Sequence, residues 1–160
     1  MNDPKDAYSL IHEYVSLNRV LERTDQSMSF FKWLDKHHPD VAIKNFHIFQ
    51  DVLIKHEQYS LYNKYLSPNV DFSQMVSNYV WAIDASEKVV YGDKKTSQEM
   101  LASATKTFIY NVSRLVAMLV INERSEETKS IAAKAKLELD SDEFMTSLNN
   151  ALDGELPLAR

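Results

Sequence analysis

Cysteine is absent from this chain of 160 residues, and glycine and proline are scarce, at 2 and 4 residues. Without thiols there is no disulfide, no thiolate metal site and no cysteine nucleophile. So little glycine and proline leaves almost no material for the tight turns of a sandwich or barrel, or for a Gly-rich phosphate loop. A strong excess of one charge is missing too: 23 acidic against 18 basic residues leave a net charge of −5, which lays down no broad basic footprint for nucleic acid. No long apolar run is free of polar residues, and the opening Met1-Asn2-Asp3-Pro4-Lys5-Asp6 lacks the basic-then-apolar order of a secretory leader. The expectation is a cytoplasmic protein without membrane insertion. What the chain does have is 44% hydrophobic and 26% charged residues, the balance of a globular domain that closes a core. A single all-helical domain over residues 1–160 is expected.

Apolar residues recur three and four apart along most of the chain, as one face of a helix requires. Ala7, Leu10, Ile11, Tyr14, Val15, Leu17, Val20 and Leu21 mark a first helix, with Asp3 as its N-cap and Pro4 at its first position. Thr24-Asp25-Gln26 reads as a turn before a second helix holding Met28, Phe30, Phe31, Trp33 and Leu34, which Pro39 stops. Residues 40–55 and 59–66 repeat the arrangement around His56-Glu57-Gln58. Asp71 caps a run that fades into the loop at Gly92-Asp93. From Thr96 to Ile121 the pattern fits one long helix or two. After Asn122-Glu123-Arg124, Ser125 caps a helix carrying Ile131, Ala132, Ala135 and Leu139, and Asp140 or Ser141 opens a last one, ended by Gly154 and Pro157.

Superposing these hairpins suggests a repeat. Ile11, Tyr14, Leu17, Val20 and Leu21 fall at one offset on Ile43, Phe46, Phe49, Val52 and Leu53, and these in turn, at a second offset about twice as large, on Ile109, Val112, Leu115, Met118 and Leu119. Thr24-Asp25-Gln26, His56-Glu57-Gln58 and Asn122-Glu123-Arg124 occupy the same slots. A period of about 33 is the size of a helix-turn-helix solenoid unit. Units are expected at about 5–38, 39–70, 71–105 and 106–140, with a closing helix at 141–153.

The run Leu17-Asn18-Arg19-Val20-Leu21, then Gln26, Phe30-Phe31, Trp33-Leu34 and Pro39, resembles a tetratricopeptide-type unit. Leu115 to Asp140, with Leu119, Asn122-Glu123-Arg124-Ser125-Glu126-Glu127, Ala132 and Ala135, resembles one more closely, and Ser141 to Leu152 is similar to the helix that ends such arrays. The small residues usual where the two helices of a unit cross are not matched, since Val15, Ser27 and His56 stand at or near those slots. The resemblance implies an all-α, right-handed superhelical stack of helical hairpins, about seven or eight helices, binding a peptide or partner domain on a concave face.

Reaction chemistry has little foothold in the sequence. His37 and His38 are neighbours and project about 100° apart if helical, so they do not serve as paired ligands. His47 and Asp51 are one turn apart with nothing nearby to complete a tetrahedral set, and with His12 they are the first residues to inspect for an acid–base site. No phosphate loop, Gly-x-Ser-x-Gly or His-Glu-x-x-His is present. The expectation is a protein–protein interaction module without catalysis, metal or cofactor; a self-associating structural module and a small helical enzyme are the alternatives. Its candidate contacts are Trp33, Tyr62, Tyr65 and Trp81, with Tyr59 beside them, because Tyr and Trp give large contact area at low entropic cost. Lysines interleaved with rings, such as Lys32, Lys44, Lys55 and Lys64, are read as solvated faces rather than a nucleic-acid surface.

Overall fold

A computed structural model describes residues 4–158, with side chains from residue 7. The chain is all-helical, and the described residues form eight helices and no strand: α1 Pro4–Val20, α2 Thr24–His37, α3 Pro39–Lys55, α4 Tyr59–Tyr65, α5 Pro68–Glu87, α6 Lys94–Ile121, α7 Ser125–Glu138 and α8 Asp142–Leu152. Starts are marked as the sequence implies. Proline stands first in α1, α3 and α5, where its missing N–H costs no helical hydrogen bond. Asp93 caps α6 by accepting the Thr96 N–H at 2.7 Å, and Ser141 caps α8 by accepting that of Phe144 at 3.0 Å. Ser125 is the first residue of α7 rather than its cap, and Asp71 lies inside the first turn of α5, behind Pro68. The expected cap Asp3 lies outside the described residues.

The contacts divide the chain into two compact units, one ending at Leu66 and the other beginning at Ser67. The helix break at this boundary has a local cause: Pro68 disfavours the helical conformation at the residue before it, and Ser67 is held at φ −112°, ψ 82°. In the first unit α2 packs on α1 and α3, α1 also meets α3, and α4 closes on α3. Its centre is aromatic, with Phe31 and Phe49 fully buried and their rings 4.8 Å apart.

The second unit is built on α6, against which α5, α7 and α8 all pack. α6 is a single helix, which settles the choice left open between one helix and two. The unit boundary expected at 105–106 therefore falls inside it, with Thr105 Oγ1 bonding the Leu101 carbonyl at 2.9 Å along the helix. By length and composition α6 is apolar enough to cross a membrane; its Phe108, Val112, Leu115, Met118 and Leu119 are buried in the core of this unit.

One turn recurs through the chain. After α1, α3, α5, α6 and α8 the second residue beyond the helix takes positive φ, at Glu22, Glu57, Val89, Glu123 and Gly154. The residue after it bonds five positions back: Arg23 to Asn18, Gln58 to Leu53, Val90 to Ala85, Arg124 to Leu119 and Glu155 to Asn150. These are Schellman turns, which satisfy carbonyls left open at helix ends. In three of them the next helix starts at once, so Leu21-Glu22-Arg23, His56-Glu57-Gln58 and Asn122-Glu123-Arg124 are equivalent linkers. Thr24-Asp25-Gln26 is the first turn of α2, three residues beyond the actual linker, which corrects the first of the two offsets. At the second offset four of the five pairs match in burial as well as apolarity: Phe46, Phe49, Val52 and Leu53 are buried, and so are Val112, Leu115, Met118 and Leu119, whereas Ile43 is exposed and Ile109 buried.

Candidate partner-binding groove

Helix α1 carries two apolar faces and buries one. Ile11, Val15 and Asn18 turn inward, and Asn18 donates its amide to the Ser27 hydroxyl at 3.1 Å. The adjacent face holds Leu10, Tyr14, Leu17 and Leu21, which are 50%, 40%, 55% and 49% exposed. Their spacing of four, three and four residues places them in one row. Ile43, expected to share the buried stripe of its hairpin, is exposed as well.

Beside that row stands a wall of rings from α2. Because Met28, Phe31 and Leu34 face the core, Phe30 and Trp33 point sideways, toward α1. Phe30 meets Tyr14 edge-on at 5.3 Å and stacks on Trp33 at 6.2 Å with the planes 18° apart. Trp33 in turn lies 5.3 Å from the His37 ring and 5.1 Å from that of His38. Row and wall enclose an open apolar groove of about 960 Å³ floored by Ile11 and Leu34, with Glu13 and His38 among its few polar lining residues. Such a site offers contact area and desolvation with little hydrogen-bonding capacity, which suits an apolar protein surface.

The four candidate contacts separate. Trp33, 48% exposed, forms part of this groove. Trp81, 57% exposed, lies in the second unit, edge-on to Tyr91 at 5.9 Å. It borders a cleft of about 380 Å³ between α5 and α6, where Ser103, Thr107 and Asn111 form a polar row.

Tyr62 and Tyr65 are buried, at 2% and 9% exposure, so neither is a surface contact. Tyr62 packs edge-on against Phe46 at 5.2 Å, and Tyr65 against Phe31 at 5.5 Å. The Tyr65 hydroxyl donates to the Asp35 carboxylate, which also receives Lys64 Nζ at 2.6 Å. Burial, and then the hydrogen bond to an anion, push the Tyr65 phenol up to about 12. The bonds from Lys64 and Tyr65 hold Asp35 below its ordinary value. This pair fastens α4 to α2.

His12 and His47 each stack on the Tyr8 ring, at 6.1 and 5.9 Å. His56 bonds the Thr24 hydroxyl at 3.0 Å, linking the start of α2 to the turn before α4. Among the described residues no group of three or more His, Asp or Glu is placed to hold a metal ion. Sequence reasoning missed Leu10, Tyr14 and Leu17 as surface residues because they were counted into the core stripe; the signal was that α1 has more apolar positions than one face accommodates. Comparison with protein-family models, with curated proteins and with solved structures finds no match for this chain.

Proposed function

We propose that the chain is a protein–protein interaction module that acts by binding, without catalysis, and that it takes an apolar protein surface into the α1–α2 groove. The observation that carries this reading is the uncovered row Leu10, Tyr14 and Leu17 facing the Trp33 ring across one groove, with exposed Leu21 continuing the row beyond it. Contiguous apolar surface of this extent marks association sites on soluble proteins, and a Trp beside a row of aliphatics is the composition of an interface centre. Three equivalent Schellman linkers also support reading the hairpins as degenerate tetratricopeptide-like units, whose function is partner binding. A photo-crosslinking residue in place of Trp33 tests the proposal in cells, with the same group at solvent-exposed Lys129 as control. The expected result is discrete protein adducts from position 33 that disappear when Leu17→Glu is added and the circular dichroism is unchanged. Adducts equally abundant from position 129, or insensitive to Leu17→Glu, overturn it.

A further inference from the structure

We propose that the occupant of the groove is the same α1–α2 face of a second copy of this chain, the two copies forming a two-fold dimer around one shared apolar seam. This rests on reading the groove as a protein-binding surface, and it names the partner. Three observations lead there.

The first is spacing. Intervals of four, three and four at Leu10, Tyr14, Leu17 and Leu21 are the seam of a heptad pattern, which buries its residues when another helix lies alongside at a shallow angle. The groove is bounded by two helices, so a matching helical pair completes a four-helix arrangement.

The second is area. Leu10, Tyr14, Leu17, Leu21 and Trp33 are each about half exposed, together on the order of 500 Å² of apolar surface per copy. Interfaces are a little over half apolar, so such a patch corresponds to roughly 900 Å² in all. A stable association needs about 800 Å² from each partner.

The third is charge. Glu13 lies on the outer rim of α1, whereas the outer rim of α2 carries Lys32 and Lys36, one turn apart and exposed. A two-fold axis along the groove sets α1 of each copy over α2 of the other. Unlike rims then face each other, and do so twice, because such an interface is self-complementary.

Light scattering and sedimentation of the purified full chain, from about 1 µM to about 200 µM, read the outcome. The expected mass is twice 18.5 kDa at the upper end. Leu17→Glu raises the dissociation constant by about a hundredfold or more, because it buries a carboxylate at two symmetric places. Glu13→Lys weakens the dimer and Lys32→Glu with Lys36→Glu restores it, a rescue that an effect on folding does not produce. A chain that stays monomeric throughout overturns the dimer, as does a dimer indifferent to Leu17→Glu with its circular dichroism intact. A labelled synthetic helix with leucines at the same four-three-four spacing separates the two proposals. If the monomeric chain binds it through Trp33, the groove reading stands and the dimer falls; if neither the copy nor the helix binds, both fall.

Discussion

Glycine introduced at Glu22, Glu57, Val89 or Glu123 is expected to stabilise the fold, because these four residues hold φ between 53° and 58°. An L-side chain in that left-handed region costs roughly 1–2 kcal/mol, which glycine avoids. Part of the gain is returned through the greater freedom of glycine in the unfolded chain, about 0.4–1 kcal/mol. The net expectation is about 0.5–1 kcal/mol at each glutamate, and more at Val89, whose branched Cβ fits this region worst. The three glutamates are exposed; their backbone N–H groups bond the preceding turn, as glycine also does, and their side chains appear in none of the hydrogen bonds or ion pairs found among the described residues, so little contact energy is lost with them. They do sit at helix C-termini, where a negative charge opposes the helix dipole by about 0.3–1 kcal/mol. Glutamine is therefore the control: Glu→Gln removes the charge and keeps the backbone cost, and only the difference between Gly and Gln measures the turn. Urea unfolding is the assay. With a slope of about 1–3 kcal/mol per molar, the Gly variants should exceed the Gln variants in midpoint by about 0.2–1 M each. Gly variants no more stable than Gln variants at all three positions would refute the left-handed turns, and with them the equivalence of the three linkers.

Other consequences follow from the same packing. Phe31→Ala empties the aromatic centre of the first unit, where its ring meets Phe46, Phe49 and Tyr65; a loss of about 3–5 kcal/mol in urea unfolding is expected, and less than 1 would contradict full burial. Ser27→Ala leaves the buried Asn18 amide without its acceptor and costs about 1–3 kcal/mol, whereas Asn18→Leu combined with Ser27→Ala recovers most of it in a double-mutant cycle. Tyr65, raised above its ordinary value of 10.0 to about 12, contributes stability that is complete below 10 and is lost as pH rises through 12. Asp35, lowered from 3.8, contributes stability present above 3.8 that is lost as pH falls through its folded value. In ultraviolet titration of the folded protein a phenol ionising near 12 should vanish in Tyr65→Phe; an unchanged alkaline limb would show that burial and the bond to Asp35 do not hold this phenol.

Helix content and most helix ends were legible in the sequence, because capping groups, first-position prolines and three-to-four spacing are local signals. Two kinds of error remained, each with a physical cause. The linker after α1 was placed at Thr24-Asp25-Gln26 because Leu21 continues the apolar spacing and Glu22 carries no mark of a left-handed residue; only the Arg23 to Asn18 hydrogen bond at 2.7 Å locates it. Burial was harder. Tyr62 and Tyr65 look like surface anchors in a run of alternating rings, yet the shortness of α4 turns both onto the α2–α3 core. Trp33 and Trp81 likewise stand beside apolar residues in sequence and remain exposed. Spacing identifies that a helix has two apolar faces, but which face is covered depends on residues distant in sequence.

That ambiguity gives α1 its significance. The helix buries Asn18, and with it Ser27 of α2, while Leu10, Leu17 and Leu21 stay at the surface. If closing the first unit were the sole demand on this segment, the apolar side chains would be worth more inside and the amide outside, since a buried polar pair contributes little net stability. The outward leucines are then expected to contribute little to the folding of their own unit, and this has a measurable form. Leu10→Gln with Leu17→Gln should change unfolding stability by no more than about 0.5 kcal/mol, the usual range for surface positions. The comparison must be made at concentrations where the chain is monomeric, because association adds to apparent stability by mass action. At higher concentration the wild type alone should gain stability with concentration. A loss above about 2 kcal/mol in the dilute protein would place these leucines in the core of the unit, and the groove would then be a gap between packed helices rather than a surface held open for a partner.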